Sequence, residues 1–163
     1  MILRYNDYYR LTEGYLRNLV SFQTALENMS ATREQKLAEL ESSRMPIAKY
    51  GTEPGGGSEL TQPESYADRL MFLQREIREL DMEIMELQTL VNKIESALGT
   101  LNGTCRKLIE LRYMGNRQWK EIEDVIGYSE RHSRRQTGKA VWLICDALFR
   151  YRLREDRNFQ FVS

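Results

Sequence analysis

The chain has 163 residues, 41% of them hydrophobic and 29% charged, which suits one ordinary domain, or a small domain plus an extended element, and excludes disorder throughout. No apolar run approaches the roughly eighteen residues of a membrane span, and the opening MILRYNDYYRLTEG has no signal-peptide core, so a cytoplasmic protein without membrane contact is expected. Net charge is zero but unevenly divided: residues 1–103 hold 11 basic against 16 acidic residues, a net of −5, while residues 104–163 hold 13 against 8, a net of +5, which points the second part toward a polyanion.

The first predicted element is a helix over about residues 3–44. Tyr8, Tyr15, Leu19, Phe22, Leu26 and Met29 keep a three-four spacing, and Leu37 and Leu40 resume it after a phase slip near Ser30 to Arg33. A Pro/Gly/Ser loop follows over residues 45–62. Its GTEPGGGS stretch lacks the Gly-Lys-Ser/Thr ending of a phosphate loop and reads as a connector.

The next element is a helix over residues 63–101. Leu70, Leu73, Ile77, Leu80, Ile84, Leu87, Val91 and Ile94 continue through Leu98 and Leu101 with gaps of three and four, the seam of a coiled coil. Its partner is either a second copy or the first helix. A parallel dimer would set Glu76 against Asp81, two like charges, whereas the first helix matches in length, about 60 Å at 1.5 Å per residue. The preferred fold is therefore all-α, a long antiparallel helical hairpin over residues 1–103 that self-associates through whatever apolar face remains, followed by a second domain over residues 104–163.

In that second domain Leu108, Leu111, Trp119, Ile122, Val125 and Ile126 supply the inner faces of two short helices, broken at Met114-Gly115-Asn116. Gly127 can take positive φ and Ser129 can cap the next helix. That helix opens with Glu130, Arg131, His132, Ser133, Arg134 and Arg135 and returns to apolar spacing at Ala140, Val141, Ile144, Leu148 and Tyr151. A polar start on an anchored end is what a helix needs to enter the DNA major groove, where arginine reads guanine edges. Trp119 and Trp142 are expected as core anchors. Cys105 and Cys145 lack disulfide or C-x-x-C spacing, and His132 has no second ligand, so no metal is expected. No catalytic constellation and no cofactor motif stand out, and the chain is read as a non-enzyme.

The stretch LIELRYMGNRQWKEIEDVIGYSERHSRRQTGKAV resembles the helix-turn-helix of sigma-70 region 4, through its L-x-L-R-Y, its W-K-E-I and its Gly-aromatic-Ser turn. Over the whole chain it resembles the ArpU/RinA-type late-gene transcriptional regulators of phages. The resemblance implies a sequence-specific regulator that binds double-stranded DNA, associated with the nucleoid of a bacterial host, with RNA polymerase as a further candidate partner. It implies base contacts from Glu130, Arg131, Arg134 and Arg135, and phosphate contacts from Arg112, Lys120, His132 and Lys139. Ser133 and Gln136 stand where that module usually has apolar residues, and Gln118 replaces its Ser/Thr cap. Two other functions fit the same organisation: the DNA-recognition small subunit of a phage packaging terminase, and a sigma-like factor acting through RNA polymerase.

Overall fold

The computed structural model describes residues 5–44 and 62–159, with side chains over 7–43 and 66–153; the GTEPGGGS connector lies outside them. Every regular element among the described residues is helical: α1 (Tyr5–Arg44), α2 (Gln62–Gly99), α3 (Gly103–Ile109), a π-helical turn (Glu110–Met114), α4 (Trp119–Ile126) and α5 (Glu130–Phe159). None of these helices is long and apolar enough to cross a membrane.

Two compact units are present, and they do not follow the expected 1–103 and 104–163 division. One joins the chain up to Gln23 with everything from Thr89 onward, and the other is Thr24–Gln88. The reason lies in the packing of α1. Its start carries an inner face of Tyr8, Thr12, Leu16 and Leu19, all buried. The Thr12 hydroxyl donates to the Tyr8 carbonyl at 2.8 Å, which satisfies its polar group on that buried face. The periodicity singles out Tyr15 and Phe22; Thr12 and Leu16 sit deeper than either.

Within the first unit Tyr8 forms a cluster with Cys145 and Leu153, with Trp142 and Phe149 packed against it. The Tyr8 and Phe149 rings are 5.1 Å apart and those of Tyr9 and Trp142 4.8 Å. Phe149 leaves the helical region (φ −124°, ψ 15°), so α5 kinks where its ring meets α1. Val91, Ile94, Ala97 and Leu98 of α2 are buried, as are Cys105, Leu108 and Ile109 of α3 and Ile122 of α4. Gln23 of α1 donates to Glu95 of α2 at 2.7 Å. Tyr113 donates its hydroxyl to Glu13 at 2.8 Å and carries the Arg17 guanidinium over its ring, which fastens α1 to the π-helical turn. Burial and the Glu13 carboxylate raise the Tyr113 phenol well above its ordinary value.

In the second unit Leu40, Leu73 and Ile77 form the buried cluster, flanked by Leu37 and Leu70. Arg33 pairs with Asp81, Lys36 with Glu76 at 2.6 Å and Glu39 with Arg69 at 2.7 Å, so partners descend along α2 as they ascend along α1. Glu76 and Asp81, the pair that a parallel dimer would bring into repulsion, each have a cation on α1 instead. Such exposed pairs add at most about 1 kcal/mol each and act mainly on register. Leu80, Ile84 and Leu87 are only half-buried here, next to the α1 segment where the apolar phase slips.

Candidate nucleic-acid interface

The polypeptide from Asn102 onward is shaped by local capping. The Asn102 side chain accepts from the Cys105 N–H at 2.8 Å and starts α3. α3 runs directly into the π-helical turn, which closes with Gly115 N–H on the Glu110 carbonyl at 2.8 Å. The inserted residue is what π turns accommodate. Of the two turn residues read from the sequence, Asn116 takes the left-handed conformation (φ 48°) and Gly115 does not (φ −85°). Asparagine tolerates that region better than most side chains. Although Gln118 replaces a Ser/Thr cap, its N–H is satisfied at 2.9 Å by the Glu121 carboxylate, one arm of a capping box.

α4 ends at Gly127, which has φ 77° and donates its N–H to the Glu123 carbonyl at 2.8 Å. The chain then turns into α5, with the Ser129 carbonyl accepting from Ser133 N–H at 2.9 Å and its hydroxyl facing His132 N–H at 3.4 Å. α4 and α5 pack against each other and against α3. The inner face of α5 is Ser133, Thr137, Ala140, Val141, Ile144 and Cys145. Small residues at its start let the helix approach closely, but the Ser133 and Thr137 hydroxyls are buried without partners among the described residues. Ser133 occupies the inner position that the resemblance assigns to an apolar residue, while Gln136 is half-buried with its amide 3.4 Å from the His132 ring nitrogen.

Two expected inner residues are not inside. Val125 is 61% exposed and Tyr151 77% exposed. Ile126, nearer the end of α4, is more covered than Val125, so the edge through Ile122 and Ile126 faces inward and Val125 faces out; Tyr151 follows the kink at Phe149, beyond which Leu153 is the buried residue.

The outer face of α5 collects the cations. Arg131, Arg135 and Lys139 recur every four residues, all exposed, and none has an acidic partner among the described residues. Lys120 at the start of α4 is likewise exposed. The other four expected contact residues, Glu130, Arg134, Arg112 and His132, are already engaged. Arg134 pairs with Glu130 and sets its guanidinium carbon 4.9 Å from the Trp119 ring centre. Arg112, also 4.9 Å from that ring, donates to the Arg117 carbonyl at 2.9 Å. His132 meets the Tyr128 ring edge-on at 4.7 Å. Trp119 is thus half-buried between two guanidiniums rather than enclosed as a core anchor, a cation–π arrangement that joins the π-helical turn, α4 and α5. Its members are 7 and 15 residues from the tryptophan, spacings to which no local pattern corresponds.

These observations define an all-helical protein with a short helix, a left-handed glycine turn and a long helix that presents cations. The chain belongs to the family described as protein of unknown function (DUF722), whose model matches residues 55–146, from before α2 into α5. Neither a curated protein nor a solved structure matches it.

Proposed function

We propose that this protein is a sequence-specific DNA-binding transcriptional regulator, phage or prophage encoded like the ArpU/RinA-type proteins it resembles. α4, the turn at Gly127 and α5 act as the helix-turn-helix, and α5 enters the major groove at its start. The observation that carries this reading is the row of Arg131, Arg135 and Lys139: three cations on one exposed helix face with no acidic partner among the described residues. A solvated helix face normally mixes both signs, and an unbalanced row next to a glycine turn suits a phosphate backbone or guanine edges. α1 and α2 form the antiparallel helical hairpin of the assembly region. Half-buried Leu80, Ile84 and Leu87 supply the face for a second copy.

The test measures binding of the full chain to a duplex selected from random sequence and to unselected DNA, over a range of salt. Replacing Arg131, Arg135 and Lys139 with Ala is expected to lower both affinities and flatten the salt slope by about 0.9 for each phosphate that is no longer neutralised. Unchanged affinities in a folded triple variant would refute the reading. Self-association is tested separately by sedimentation of a chain carrying Ile84→Asp and Leu87→Asp, which should dissociate because unpaired charge in an apolar seam is costly.

A further inference from the structure

We propose that Glu130 reads a cytosine and that Arg134 is a positioning residue for it rather than a reader of guanine, an inference that rests on the DNA-binding function proposed above. Two donors of Arg134 converge on one oxygen: Nε donates to Glu130 Oε1 at 2.8 Å and Nη2 lies 2.6 Å from the same atom. The guanidinium also lies over Trp119, whose ring Arg112 approaches at the same 4.9 Å, with Arg112 anchored on the Arg117 carbonyl. A guanidinium reads guanine with two parallel donors aimed at O6 and N7. Arg134 would have to leave both the carboxylate and the indole to do so, while Arg131 and Arg135 have no such ties among the described residues.

Glu130 is left in the opposite condition. Its Oε1 is held by Arg134, its Oε2 has no partner among the described residues, and its side chain is 46% exposed in the first turn of α5. That turn favours a carboxylate through the positive end of the helix dipole. The paired arginine also offsets the repulsion that a bare carboxylate would meet from phosphates. An acceptor oxygen fixed at the groove-facing start of a helix matches the N4 amino group of cytosine, the base that Glu and Asp recognise. The chain of contacts from Arg112 through Trp119 and Arg134 to Glu130 therefore fixes one acceptor, which is how a weak surface ion pair can become a specificity element.

The experiment selects bound sequences from randomised duplexes with the full-length protein and with its Glu130→Ala, Glu130→Gln and Arg134→Ala variants, with the fold of each checked by circular dichroism. The unaltered protein should select cytosine at one position. Glu130→Ala should lower discrimination at that position by roughly 5- to 150-fold and leave the others intact. Glu130→Gln should turn the preference toward adenine, whose N6 and N7 a Gln amide matches, a change that loss of a merely structural ion pair could not produce. Arg134→Ala should blunt the same position and no other. Retention of cytosine by Glu130→Ala, or loss of a guanine elsewhere in Arg134→Ala, would overturn the assignment while leaving DNA binding in place. If the unaltered protein selects no sequence, DNA reading fails and the role of Glu130 fails with it.

Discussion

At the scale of single residues, three positions isolate three separate contributions: backbone conformation at Gly127, desolvation at Thr137 and proton binding at Tyr113. Gly127 holds φ 77° with open space where a Cβ would stand, so Gly127→Ala meets only the backbone cost of the left-handed region, about 1–2 kcal/mol, readable by chemical denaturation. Thr137 has a buried hydroxyl with no partner among the described residues, and Thr137→Val keeps the shape while removing the desolvation cost. We expect it to stabilise the fold by about 1 kcal/mol; a destabilisation of that size would mean the hydroxyl is hydrogen-bonded after all. Tyr113 is protonated in the fold to higher pH than in the unfolded chain, where a phenol titrates near its ordinary 10.0. Its contribution is therefore complete below that value and declines as pH rises above it, because the unfolded state then releases a proton that the folded state keeps. Tyr113→Phe should make stability less sensitive to pH on the alkaline side of 10.0, measured as the midpoint of unfolding against pH.

At the scale of elements, α2 is one unbroken seam in sequence with two different fates. Val91 and Ile94 are buried in the first unit, whereas Leu80, Ile84 and Leu87 are half-buried in the second. Ile94→Ala should therefore cost about 2–5 kcal/mol and Ile84→Ala clearly less in the same denaturant titration. Helix existence is legible in the sequence because periodicity is a property of one helix: α1 and α2 lie within two residues of the spans expected from spacing, and Gly127 and Ser129 sit where cap chemistry places them. Which face a neighbour covers is not a property of one helix. The exposure of Val125, the kink at Phe149 and the π-helical turn all depend on what packs beside them, and a turn with one inserted residue leaves no period to detect. The candidate interface is legible in part for the same reason. The exposed row of Arg131, Arg135 and Lys139 follows from helical spacing, while the arginines on Trp119 are brought together only by tertiary structure.

At the scale of the whole molecule, the division of the chain departs furthest from what the sequence suggests, because composition and charge change near residue 103 whereas packing does not. The segment 104–163 lacks Tyr8, Thr12 and Leu16 from α1 and Val91, Ile94 and Leu98 from α2, all buried in the unit it belongs to. We expect that fragment alone to show much less helix by circular dichroism than it has in the full chain, and to regain helix when a peptide of residues 5–23 and one of residues 89–103 are added. A fragment as helical alone as within the chain would show that α1 and α2 are dispensable to it. The hydrogen bond between Glu13 and Tyr113 spans 100 residues of sequence, and its consequence concerns the order of synthesis. Domains commonly fold from the N-terminus as the ribosome releases them. Here α1 has no cover for its Tyr8 face until the Cys145 and Leu153 segment of α5 has been translated, so the unit bearing the basic row closes after Thr24–Gln88 can, and a chain truncated before α5 is left with that apolar face bare.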